Sequence, residues 1–110
     1  MDKITEITRA DMADVALGGA FLGTGGGGDP YIGRLMAEQA IEASGPVPVV
    51  DVEDLADDAL VVPVAMMGAP TVMLEKLPRG DEAISALRSL EAVLGRKADA
   101  IFCIEAGAHV

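Results

Sequence analysis

The chain has 110 residues, enough for one domain that buries roughly 65% of its unfolded surface. Half of it is apolar (51%) but only 3% is aromatic and tryptophan is absent, so the core must be aliphatic, drawn from Val, Leu, Ile, Ala and six Met. The formal net charge of −10 argues against nucleic acid or an anionic membrane as a partner, and no apolar run reaches the length of a membrane span.

The acidic residues Asp2, Glu6 and Asp11 predict that the N-terminus is not a signal peptide. The single cysteine, Cys103, allows no internal disulfide and fits a reducing, cytoplasmic compartment. Ile4 and Ile7 suit a short extended lead-in. Thr8, with Asp11 three residues on, predicts the capped start of a helix whose apolar face is Ala13, residues 15–17, Ala20 and Phe21.

That helix runs into the most unusual segment of the chain. Five of the seven residues 23–29 are glycine. Glycine loses more freedom on ordering than any other residue, so such a run implies positive φ or a close approach to the backbone. Asp29 is a strong N-cap, and Pro30 suits the first helical position, where its missing N–H costs nothing. Thr24, Gly25, Gly26, Gly27, Gly28 and Asp29 are therefore the candidate binding residues, because loop amides at a helix N-terminus can hold an anion or a polar ligand. A tight structural crossing is the alternative. A dinucleotide site is a third: Gly23, Gly25 and Gly28 satisfy G-x-G-x-x-G, with Asp51 23 residues further on. The helical pattern before the loop and the Asp29 carboxylate weigh against that reading. Asp29-Pro30 in place of Gly-Lys-Ser/Thr excludes a Walker loop. Asp29 itself reads as a cap or as a catalytic carboxylate.

Beyond Pro30, Ile32, Leu35, Met36, Ala40 and Ala43 repeat at helical spacing, and Ser44-Gly45-Pro46 stops the helix. The period then changes. Residues 47–52 and 60–64 are apolar on both sides, as strands buried on two faces are. The acidic residues Glu53, Asp54, Asp57 and Asp58 between them predict a solvated connection. Pro63 points to an edge strand or a bulge. Gly68-Ala69-Pro70 turns the chain and residues 71–77 suit a short helical piece. Asp81 is placed to cap a helix with Ala83, Leu87, Leu90 and Leu94 as its stripe, Gly95 as its stop, and Arg96 and Lys97 at its negative end. Residues 100–104 read as a last buried strand. Helices alternating with apolar strands predict a layered α/β fold.

Outside the loop, chemistry-bearing residues are few. Glu75 and Lys76 are adjacent and read as solvated surface or as a functional pair. Glu105 follows an apolar strand, where active-site residues often project, or is a solvated strand end. Cys103 reads as inert packing, Met66, Met67 and Met73 as core filler, and His109 as part of a frayed terminus. One histidine and one cysteine cannot build a Cys/His zinc site, so no metal and no cofactor is assigned.

Two stretches carry a resemblance. Leu22-Gly23-Thr24-Gly25-Gly26-Gly27-Gly28-Asp29-Pro30-Tyr31-Ile32-Gly33 and Val62-Pro63-Val64-Ala65-Met66-Met67-Gly68-Ala69-Pro70-Thr71-Val72-Met73-Leu74-Glu75-Lys76-Leu77-Pro78 resemble the N-terminal domain of the S-methyl-thiohydantoin desulfurase family, often described as hydantoinase- or oxoprolinase-like. The similarity runs from about Thr8 to Gly107. It implies a three-layer α/β domain with helices on a small, mainly parallel sheet, and a hydrolase acting on a five-membered thiohydantoin or hydantoin-type ring. Water would attack the carbon bearing sulfur and a carboxylate, Glu75 or Glu105, would take a proton, with Lys76 nearby in sequence. The loop amides would hold developing charge. After the last strand the family pattern reads Glu-x-Gly-Gly-x-Asn and continues into a second, β-rich domain. Here Glu105-Ala106-Gly107 matches, Ala108 replaces the second glycine, and the sequence ends at Val110, which predicts a single α/β domain, residues 1–110, cut from a longer protein. Strands apolar on both faces then predict a homo-oligomer. A non-catalytic module binding a small anion at the glycine loop, and a self-associating structural remnant, are the alternatives.

Overall fold

The structure, a computed structural model, describes residues 3–65 and 80–104. The chain divides into two compact units, with the boundary between Leu55 and Ala56.

In the first unit the Asp11 carboxylate accepts from the Thr8 backbone N–H at 2.7 Å and from its hydroxyl at 2.8 Å. This closes the expected cap around a 3-10 turn, Arg9–Asp11, which leads into α1, Met12–Gly23. The second helix, α2, spans Tyr31–Ser44 and ends at Gly45, whose φ is 89°. The two helices pack against each other, only partly on the faces that the apolar pattern predicts. In α1 the covered stripe is Met12 and Ala16, continued by half-buried Gly19 and Gly23, while Leu17 and Phe21 are 71% and 79% exposed. In α2 it is Ile41, preceded by half-buried Gly33 and Ala37; of the expected face Ile32 and Met36 are also half-buried, while Leu35, Ala40 and Ala43 are exposed. α1 is apolar nearly all round, so its period cannot select a face. Packing places the small residues in the covered stripes of both helices.

Ahead of α1, β1 (Glu6–Ile7) pairs antiparallel with β2 (Val47–Pro48), Glu6 opposite Pro48 and Ile7 opposite Val47. One further bond, from the Val49 N–H to the Thr5 carbonyl at 2.9 Å, extends the ladder. The expected strand over 47–52 is thus cut short. Proline brings no donor at position 48, and a 3-10 turn, Val52–Asp54, follows. Val47, Val49, Val50 and Val52 are exposed rather than buried on two faces. Asp51, at the end of this run, pairs with the Lys3 ammonium at 2.9 Å.

In the second unit β3 (Val61–Pro63) and β4 (Ala100–Phe102) form a parallel pair, Val61 opposite Ala100, Val62 opposite Ile101 and Pro63 opposite Phe102. The Val64 N–H donates to the Phe102 carbonyl at 3.0 Å, so by alternation the nitrogen of Pro63 faces away from β4, as an edge position requires. Val62 is buried; Ile101, Phe102 and Ile104 are about half exposed, and Cys103 is exposed past the strand instead of packed within it. Helix α3, Glu82–Leu94, lies between the two strands in sequence. Asp81 stands at its start with its carbonyl accepting the Ser85 N–H, and Gly95, at φ 73°, ends it. Of its expected stripe Leu87 is half-buried, but Leu90 and Leu94 are 41% and 50% exposed and Ala83 is exposed, and the residue most buried is Glu91, one turn after Leu87, at 7%. Glu53, Asp54, Asp57 and Asp58 are exposed, as expected.

Among the described residues, three helices with one parallel and one antiparallel strand pair make this a small α/β fold. Among the described residues no helix is long and apolar enough to cross a membrane.

Candidate functional site

The glycine loop joins α1 to α2, and its backbone needs its composition. Thr24 leaves α1 in the left-handed region at φ 48°, and Gly25, Gly27 and Gly28 follow at 91°, 79° and 81°. Thr24 donates to the Phe21 carbonyl and Gly26 to the Gly23 carbonyl, the latter at 2.7 Å. Gly26 has no positive φ, but a Cβ there would meet the Gly23 oxygen at 3.0 Å. Two reasons for glycine thus operate side by side, backbone conformation at three positions and steric room at the fourth. Among the described residues, no acceptor takes the N–H groups of Gly25, Gly27 or Gly28.

Asp29 closes the loop. Its Oδ1 accepts from the Tyr31 N–H at 2.9 Å, and the Pro30 carbonyl accepts from Arg34 N at 2.9 Å, so the helix begins one residue later than the Pro30 start expected. Pro30 is thus the N-cap residue, and Asp29, just before it, satisfies the first N–H of α2 with its side chain. A carboxylate at this helix end takes the position and the field that an external anion would use. Among the described residues of the first unit each cationic side chain is already paired: Lys3 with Asp51, Arg9 with Glu42 at 3.7 Å, and Arg34 with Glu38 at 2.8 Å. A helix, not a strand, enters the loop, so a dinucleotide turn does not form here.

An open groove of about 450 Å³ lies along α2, lined by Arg9, Ile32, Leu35, Met36, Glu38, Gln39 and Glu42. It includes none of the glycine-loop residues.

Glu75, Lys76 and Glu105 lie outside the described residues, as do Met66, Met67, Met73, the helical piece expected over 71–77, and His109. The strands that lead toward them are described. β3 and β4 are parallel, so residues 65 and 104 leave the pair at the same, carboxyl, end. That end of a parallel sheet is where α/β proteins gather binding and catalytic groups.

Sequence reasoning passed over Glu91. Its Oε2 accepts from the Ala98 N–H at 2.6 Å and its Oε1 from Arg88 Nη1. The Ala98 amide first, and Arg88 second, hold its carboxyl below the ordinary glutamate range. Glu91 is covered by this turn and by the Arg88 side chain rather than set deep in a core. The signal was present in the sequence: Glu91 stands four residues after Leu87, on the apolar stripe, with Arg88 three residues before it and a glycine stop four after.

A family model described as S-Me-THD-like, N-terminal domain, matches residues 10–109. The chain belongs to the S-Me-THD-like family. The match spans the glycine loop, both strands of the parallel pair and the three described helices, so these elements belong to the S-Me-THD-like N-terminal domain. No curated protein and no solved structure matches the chain.

Proposed function

We propose that this S-Me-THD-like domain is the N-terminal part of a hydrolase acting on a five-membered thiohydantoin or hydantoin-type ring. The family match over residues 10–109 carries the reading. In the proposed reaction water attacks the ring carbon that bears sulfur. A C–O bond forms, the C–S bond breaks, and the sulfur leaves as a thiol with one proton. A carboxylate, Glu75 or Glu105, takes the proton of the attacking water, and Lys76 is a candidate to steady the charge on the departing sulfur. The loop residues Thr24, Gly25, Gly26, Gly27, Gly28 and Asp29 are the binding element. The amides of Gly25, Gly27 and Gly28, which meet no acceptor among the described residues, suit acceptor atoms of the ring, and the Asp29 carboxylate suits a ring N–H. An uncharged ring fits this loop better than an anion does, because Asp29 already holds the helix end. The domain works in the cytoplasm in this reading, where its one cysteine stays reduced.

The test is direct. An S-methyl-thiohydantoin is incubated with the chain, thiol release is followed with a chromogenic disulfide, and binding is measured by calorimetry. Thiol release that Glu105→Gln or Glu75→Gln abolishes supports the hydrolase. Heat of binding without thiol release favours a binding module, and neither signal defeats the proposal.

A further inference from the structure

Helix α1 is apolar over more of its surface than its own fold covers. Asp14 is its one charged residue, and residues 15–28 carry no charge at all. A helix that is apolar all round belongs in a buried position. Here α2 covers one side, along Met12, Ala16, Gly19 and Gly23. The other side presents Leu17, Phe21 and Leu22, each more than two-thirds exposed.

Gly18 sits among these three, beside Leu17 and three and four residues before Phe21 and Leu22. A glycine inside a helix costs about 1 kcal/mol relative to alanine. Nothing in its own chain explains that cost, because a Cβ at Gly18 would meet no atom within 4 Å. The space over Gly18 is open, so the glycine leaves a notch between large exposed side chains.

We propose that this face is the contact between two copies of the chain, with their α1 helices packed antiparallel about a two-fold axis that passes between Leu17 and Gly18. An isologous contact needs a surface that fits itself. With the axis there, Leu17 of each copy stands opposite Gly18 of the other, and Leu22 opposite Ala13, so large side chains meet small ones on both sides. A partner of unrelated sequence would not require large and small residues to mirror each other about one point. The exposed parts of Leu17, Phe21 and Leu22 come to roughly 450 Å² per copy, or about 900 Å² in a pair before the rim of Ala13, Val15 and Ala20 is added, against the about 1,200 Å² at which stable interfaces begin.

Charge favours the same face and the same direction. Each copy carries a net charge of −10, so two copies approach most easily where the surface is uncharged. In the antiparallel pair the two Asp14 residues lie seven residues apart along the axis, about 10 Å, close to the screening length of physiological salt. A parallel pair would bring Asp11 and Asp14 of both copies side by side and align the helix dipoles. The homo-oligomer expected from the sequence thereby acquires a specified surface, which does not depend on the hydrolase reading.

Sedimentation velocity on the full chain across the micromolar range tests this, with urea unfolding measured below the dimer's dissociation constant. Gly18→Leu fills the notch with a good helix former in open space, so the urea midpoint should hold or rise while the dissociation constant rises about tenfold or more. Phe21→Ser, at an exposed position, should likewise weaken the dimer without lowering the midpoint. Ile101→Ser, on β4, should leave association unchanged. Leu17→Ala combined with Gly18→Leu exchanges large and small across the axis and should recover most of the affinity lost in Gly18→Leu alone. Added salt should tighten the dimer by screening the repulsion between two acidic chains. A monomer throughout the range overturns the proposal and leaves the face to a different protein. So does association that Gly18→Leu and Phe21→Ser do not weaken, or that Ile101→Ser abolishes. A lower midpoint in Gly18→Leu would place the glycine in the chain's own packing, and no recovery in the double variant would remove the antiparallel pairing; either result overturns the proposal.

Discussion

The Asp29 carboxylate satisfies the first N–H of α2, that of Tyr31, 2.9 Å from Oδ1, and so closes the glycine loop with its own negative charge. Replacing Asp29 by Ala should lower stability by about 1 kcal/mol, the usual worth of a side-chain cap at a helix start. Asp29→Ser, which can cap without charge, should recover most of it. Urea unfolding of the three proteins decides the matter; equal midpoints would mean that the cap contributes nothing.

The loop glycines should separate by mechanism. Gly25 has open space around a would-be Cβ but a φ of 91°, so Gly25→Ala should cost about 1 kcal/mol through backbone strain alone. A D-alanine at the same position, introduced by chemical ligation, relieves that strain and should be no worse than glycine. Equal losses for the L and D residues would point to crowding instead.

Acid should weaken the fold through a few identifiable carboxylates. Glu91 is held below its ordinary 4.5 by the Ala98 amide and Arg88. Asp11 is held below its ordinary 3.8 by Thr8, and Asp51 below the same value by Lys3. A lowered folded value means that the unfolded chain binds more protons in this range, so stability rises with pH. Each contribution is complete above the unfolded value and disappears as pH falls through the folded one. Glu91→Gln should therefore flatten the acid limb of a stability–pH curve between pH 5 and the acid transition. An unchanged slope would remove Glu91 from the account.

The acidic connection should be nearly silent. Asp57 and Asp58 are exposed, and among the described residues Arg96 reaches this stretch through the Asp58 backbone carbonyl, not a side chain. Neutralising both side chains as Asn should shift stability by no more than about 0.5 kcal/mol. A larger loss, or a new dependence on divalent cations, would assign them a partner.

Self-association follows from the apolar residues left at the surface. Val47, Val50, Ile101, Phe102 and Ile104 are each about half exposed. A homo-oligomer at micromolar concentration, burying roughly 1,200 Å² or more, is the expected outcome of light scattering. A clean monomer across that range would show that these residues tolerate water.

The sequence by itself determined the local decisions. The Thr8–Asp11 cap, the Asp29 cap, the positive φ of the loop glycines, the Gly45 and Gly95 stops and the edge position of Pro63 each depend on one residue's own backbone and its near neighbours. The family membership was legible for the same reason, since it rests on contiguous residues. Tertiary structure alone decided which faces are covered. Leu17, Phe21, Leu35, Leu90 and Leu94 are the larger apolar residues, yet Met12, Ala16, Ile41 and Glu91 are the ones buried in the helices. Hydropathy ranks side chains by what they gain from leaving water. Which ones leave is set by how closely two helix backbones can approach, and small residues decide that. A carboxylate such as Glu91 can be covered when an amide and a guanidinium meet it there, and no one-residue scale contains those partners.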